Sequence, residues 1–230
     1  MAVREILNFD HPVLRQKARK VSRVDSSIVR LLDDLAETMY AAPGAGLAAN
    51  QIGIPLRVCV VKGADNQHYG LVNPVVVKGE GTQVGYEGCL SFPGWVGEVE
   101  RYETVLVKGL NRKGKEVRIK SSGFTARAFQ HEIDHLDGVL FTDRLTSLDT
   151  LRRVGLGSAD PLPVPRAQVQ HLALHGPPDR EVDAVLPVDQ VAQELANRAS
   201  IAADHHVQFA GRQGLDEPKR LRALPLQGLQ

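Results

Sequence analysis

Gln130-His131-Glu132-Ile133-Asp134-His135-Leu136-Asp137 is the stretch on which the reading of this chain turns. Residues four apart stack on one face of a helix, so His131 and His135 can reach a single divalent ion. Glu132 follows His131 by one position and is turned about 100° round the helix. Its carboxylate then lies beside the metal without taking a coordination position, placed to act as general base for water. This is a metal-hydrolase signature. The helix that carries it is expected to start at Ser122, a residue able to cap it, and to end near Gly138, a natural C-terminal glycine.

Two imidazoles are too few, because a hydrolytic site normally has three protein ligands and one open position. Downstream of His135 the nearest candidates are Asp137 and Asp143. Upstream, Tyr86-Glu87-Gly88-Cys89-Leu90-Ser91 offers Cys89 in an apolar, strand-like setting, and a thiolate is a strong ligand for a borderline or soft ion. The other cysteine, Cys59, stands in the β-branched run Arg57-Val58-Cys59-Val60-Val61 and reads as a small core hydrophobe. Two cysteines in 230 residues rule out a disulfide framework and fit a reducing compartment. His171 and His175 are also four apart, but no carboxylate follows the first and no third ligand is evident.

Around these motifs the pattern is mixed. A helical period of apolar residues runs over 26–41 and stops before Pro43-Gly44. Strands are expected over 56–61, 69–77, 96–98, 104–109 and 116–119, the last two joined by a hairpin turn at Asn111-Arg112-Lys113-Gly114-Lys115. The helix after Ser122 should turn Phe124, Ala128, His131, Ile133 and His135 inward. Strands gathered before one long helix indicate an α+β domain rather than alternating βαβ units. Glu87 and Arg101 flank the cysteine strand, and a chain doubling back at Pro93-Gly94 would pair them and brace the Cys89 loop.

Three motifs in order resemble the peptide deformylase family: Gly44-Ala45-Gly46-Leu47-Ala48-Ala49-Asn50-Gln51, Glu87-Gly88-Cys89-Leu90-Ser91 and Gln130-His131-Glu132-Ile133-Asp134-His135. A lone HExxH recurs in unrelated metalloproteases, whereas the three together are very specific. The resemblance runs from about residue 6 to about residue 145 and takes in His11-Pro12-Val13-Leu14-Arg15, Leu71-Val72-Asn73-Pro74 and Gly138-Val139-Leu140-Phe141. It implies antiparallel sheets wrapped around a central helix that bears the two histidines. It implies one divalent metal ion per chain, foremost Fe2+ with Zn2+, Ni2+ or Co2+ accepted, held by Cys89, His131 and His135. Glu132 would be the general base, with the Gln51 amide and the backbone N–H of Leu90 meeting the oxyanion. Ala45, Leu90 and Ala128 would line a pocket for the methionine side chain, with Gly44, Gly46 and Gly88 holding the peptide backbone. The implied substrate is the N-formylmethionyl end of a nascent polypeptide, and the products are formate and a free amine.

A formal net charge of +1 argues neither for nucleic acid nor for an anionic membrane as a bulk partner, and no direct nucleic acid recognition and no membrane are expected. Met1 to Leu7 lacks the apolar run of a leader and no apolar stretch of about 18 residues occurs, so a cytoplasmic location is expected. Residues 1–156 read as the catalytic domain. Residues 157–230 are rich in proline and poor in aromatic residues, and are expected to form a largely irregular C-terminal extension with one helix over 188–203. Arg152-Arg153 reads as the remnant of a terminal helix of the kind some family members use to dock on the ribosome, so a transient ribosome contact is among the expected partners. Two other readings stay open: an HExxH-type metalloprotease, and a non-catalytic ribosome-associated metal-binding module.

Overall fold

The computed structural model describes residues 2–63 and 67–154, together with the backbone of 162–163, and all of them fall within one unit, Met1–Arg180. The boundary expected at residue 157 and the helix expected over 188–203 lie outside the described residues, as do His171 and His175.

The first helix, α1 (Ser26–Ala41), spans the residues its periodicity marked. Asp25 caps it, its carboxylate accepting the N–H groups of Ser27 at 2.9 Å and Ile28 at 3.1 Å. Ile28, Leu31, Leu32, Leu35 and Met39 form its buried stripe. That stripe packs on a five-stranded antiparallel sheet of β1 (Gly46–Ala48), β2 (Val58–Lys62), β3 (His68–Glu80), β6 (Thr104–Leu110) and β7 (Glu116–Ser122), in the order β1-β2-β3-β6-β7. Pro74 lacks the N–H a ladder needs, and it sits at a register shift between Val72 and Val75. The residue before it, Asn73, takes φ of +54° and uses its side chain to hold both Val21 backbone groups, so the break in the ladder ties the N-terminal segment to the sheet.

A second antiparallel sheet contains β4 (Gln83–Cys89), β5 (Phe92–Arg101), β8 (Arg152–Arg153) and β9 (Leu162–Pro163), in that order. The hairpin of β4 and β5 is far longer than the three residues expected at 96–98. Arg152 and Arg153 are strand, not the remnant of a helix: they pair with Val96 and Trp95 on one side and with 162–163 on the other. The sheet therefore takes in 162–163, within the stretch expected to be largely irregular.

Between the sheets lies α2 (Gly123–Leu136). Ala126, Phe129, Ile133 and Leu136 face the five-stranded sheet and join Cys59, Val61, Leu71, Val105 and Val107 in the main core. Cys59 is the core hydrophobe its setting suggested. Two expectations for this helix fail. Ser122 occupies the cap position without a side-chain hydrogen bond, and Phe124, in the first turn, is 69% exposed. Phe124 lies one turn before Ala128 in the sequence but outside the core cluster that Ala128 joins. At the other end Gly138 takes φ of +77°, and a Cβ there would come within 2.6 Å of the Arg15 carbonyl oxygen, so the helix stop requires glycine. This is an α+β fold of antiparallel sheets around one central helix. No helix among the described residues is long and apolar enough to cross a membrane.

Candidate active site

One turn of α2 separates His131 from His135, and their rings meet edge to face with centroids 4.9 Å apart. The hairpin of β4 and β5 delivers Cys89 opposite them, its Sγ 3.2 Å from His135 Nε2. One ligand atom from each of the three residues falls within 4.8 Å of the others. The competing carboxylates are engaged elsewhere: Asp137 with Arg57 at 2.6 Å, and Asp143 with Arg15 and the Leu140 N–H. His131 Nδ1 faces Glu87 Oε2 at 3.0 Å, which turns its other ring nitrogen toward Cys89. A thiolate and two imidazoles form a donor set suited to a divalent ion of intermediate softness. The electrostatics agree. Burial opposes charge on His131, yet Cys89 and Glu87 raise its pKa well above the ordinary value, while burial and His131 push His135 well below it. Cys89 and Glu87 thus make the surroundings of His131 favourable to positive charge.

Behind His131 the expected pair of Glu87 and Arg101 forms, with both residues buried. Arg101 grips Glu87 in a bidentate pair, Nε to Oε1 at 2.9 Å and Nη2 to Oε2 at 3.0 Å. Burial alone would raise the Glu87 pKa, but His131 and Arg101 together hold it far below the carboxylate range. Three residues that sequence reading missed complete the network. Arg127 donates to Glu87 at 2.9 Å, Arg101 Nη1 also reaches Asp134, and Arg144 donates to Asp134 at 2.9 Å. A signal existed for two of them: Arg127 and Asp134 stand four before and three after His131, on adjoining parts of the same helical face.

Glu132 is buried, and its Oε2 has no hydrogen-bond partner among the described residues. Burial pushes its pKa up to about 7, where a carboxyl can both take and release a proton at neutral pH. Its carboxylate lies against the Gly46 backbone, and a Cβ on Gly46 would sit 2.4 Å from Oε1. Gln51, in a 3-10 turn over Ala49–Ile52, accepts the Ala48 N–H at 2.8 Å through Oε1. That fixes the amide so that Nε2 points to Ser91 Oγ at 3.2 Å and Cys89 Sγ at 3.5 Å. Asn50, also missed, donates to the His135 carbonyl.

All of this opens into a cleft of about 910 Å³. Gly44, Ala45, Gly46, Gly88, Leu90 and Ala128 line it, as the motifs implied, and the Leu90 side chain covers Gly44. Phe124 and Trp95 line it as well; Trp95 is half-buried and packs edge-on against Phe92 at 5.7 Å.

Residues 3–151 match the model of the family described as polypeptide deformylase. The chain belongs to the polypeptide deformylase family. A peptide deformylase of Symbiobacterium thermophilum is 55% identical over 150 residues, covering 64% of this chain and 69% of that protein. One from Dehalococcoides mccartyi is 50% identical over 156 residues, covering 67% and 93%. The crystal structure of the Legionella pneumophila peptide deformylase superposes with a TM-score of 0.61 at 44% identity, covering 64% of this chain and 88% of that one. With family membership comes the activity: the chain is a hydrolase that removes the N-formyl group from nascent peptides, and neither the protease nor the non-catalytic alternative is favoured.

Proposed function

We propose that Cys89, His131 and His135 hold one divalent ion, foremost Fe2+, and that the residues around it hydrolyse the formamide of N-formylmethionyl peptides. The observation that carries this reading is the meeting of a thiol and two imidazoles within 4.8 Å, with a buried, unpartnered carboxylate alongside them at the head of a peptide-sized cleft. Bound there, the ion supplies Lewis-acid activation of water and of the formyl carbonyl.

The chain's own groups do the rest. Glu132 takes a proton from water as the water oxygen bonds to the formyl carbon, and gives it to the amine nitrogen as the C–N bond breaks. Formate and a free N-terminal amine leave. The Gln51 amide and the Leu90 N–H donate to the oxygen that becomes negative in the transition state, and an uncharged amide does so without cancelling the charge of the nucleophile. Glu87, clamped by Arg101 and Arg127, fixes the His131 ring and its tautomer.

β1 and β4 are the free edges of their sheets, so Gly44, Gly46 and Gly88 can pair with an extended peptide whose methionine side chain enters among Ala45, Leu90 and Ala128. A cytoplasmic location and a transient ribosome contact accord with a nascent-chain substrate. The test is to offer formyl-Met-Ala-Ser, acetyl-Met-Ala-Ser and casein to protein purified without oxygen. Formate from the first, with the other two left intact, is the expected result. Cleavage of casein, or inertness toward all three, refutes the assignment.

A further inference from the structure

Of the five acidic and basic side chains that line the cleft, four are buried. Glu87 and Arg127 bind each other at 2.9 Å, His131 turns a nitrogen to Glu87, and Glu132 lies against Gly46 beside the metal ligands. Arg153 is the exposed one, and its side chain has no hydrogen bond or ion pair among the described residues. Two features fix where it stands. Arg153 pairs with Trp95 across β5 and β8, and the next residue, Val154, donates its N–H to the Gly94 carbonyl at 2.8 Å. Paired residues of antiparallel strands share a face, and the face of Trp95 is the one that carries Phe92 and Cys89 in a common apolar cluster. Arg152 alternates to the other face, where its guanidinium lies 5.6 Å from the centre of the Tyr86 ring. Of two adjacent arginines, one is engaged with an aromatic ring and the other is left at the cleft.

We propose that Arg153 is a specificity residue, favouring substrates with an acidic side chain downstream of formylmethionine. The proposal rests on the deformylase reading above. β8 lies two strands, about 10 Å, from β4. A peptide paired along the free edge of β4 runs parallel to β8, so its side chains beyond the methionine, projecting into the cleft that Arg153 lines, are what meet the guanidinium. Exposure limits the discrimination to the scale of a surface ion pair and makes it sensitive to salt.

The test compares kcat/KM for formate release from formyl-Met-Ala-Glu-amide, formyl-Met-Ala-Gln-amide and formyl-Met-Ala-Lys-amide, using the full-length, metal-loaded protein. Amidation removes the terminal carboxylate, so only the third side chain differs. At low ionic strength the Glu peptide should exceed the Lys peptide by about five-fold with Gln between them, the ratio shrinking in about 0.5 M salt. Arg153→Lys should keep the ratio, Arg153→Ala should bring it toward one, and Arg153→Glu should invert it. Each ratio is internal to one protein and does not depend on how much of a variant is folded. A ratio near one in the parent, or an unchanged ratio in Arg153→Ala, overturns the assignment. A parent that releases no formate from any of the three contradicts the deformylase reading instead.

Discussion

Glu132 differs from its neighbours in the site by touching no other polar group with Oε2 while being fully enclosed. A buried carboxyl without a partner is costly unless it does something with its proton. Glu132→Gln should therefore keep its metal and its fold while losing about 10²-fold to 10⁴-fold in turnover, because it removes the proton carrier and no ligand. Metal analysis and formate release on the same sample check this, and a variant turning over at the parent rate removes Glu132 from the mechanism. At this scale the sequence was most legible. His131, Glu132 and His135 lie within one helical turn, and Cys89 has a local setting unlike that of Cys59. Helical spacing puts Arg127 and Asp134 on the His131 face, but the partners of Arg127, Asp134 and Asn50, which are Glu87, Arg101 and the His135 carbonyl, are 40, 33 and 85 residues away, and nothing local identifies them.

Among the elements, β4, β5 and α2 are bolted together by a buried ionic cluster. Arg101 joins Glu87 of the cysteine strand to Asp134 of the histidine helix, with Arg101 and Glu87 about 95% shielded. Removing one partner strands the others as buried charges, at a cost of about 3–5 kcal/mol. For Arg101→Leu we expect a melting temperature lower by about 10 °C and weaker metal retention; an unchanged melting temperature and metal content would show that the cluster braces nothing. The start of α1 offers a milder, pH-dependent test. The Ser27 hydroxyl and the Ile28 N–H lower the pKa of Asp25. A folded-state pKa below the unfolded one stabilises above the unfolded value and is lost as pH falls through the folded one. Asp25→Ala should thus cost about 1 kcal/mol near pH 7, the difference from the parent vanishing at acid pH. A gap that persists there would mean that the carboxylate charge is not what caps the helix. The limits of α1 were legible because its buried stripe lies within its own sequence and Pro43 follows two residues after its end. The extent of β5 and the existence of β8 were not, since a strand next to the cleft need not alternate and Arg152-Arg153 carries no pattern of its own. Phe124 was misplaced because periodicity gives the face of a helix, not how much of that face is covered.

For the molecule as a whole, every residue assigned a part in the chemistry lies between Gly44 and His135, while β8 pairs onward with 162–163. A chain ending at Pro165 should keep deformylation of a short peptide within a few-fold of full length. Loss of metal or precipitation of that shorter protein would mean that residues beyond it complete the catalytic body. The central claim is that one ion at Cys89, His131 and His135 makes this chain a deformylase, and the most direct measurement titrates Fe2+ into metal-free protein under anaerobic conditions while following formate release from formyl-Met-Ala-Ser. Activity should rise from none, in proportion to bound iron, and saturate at one ion per chain; full activity without metal, or saturation only beyond one ion, would contradict it.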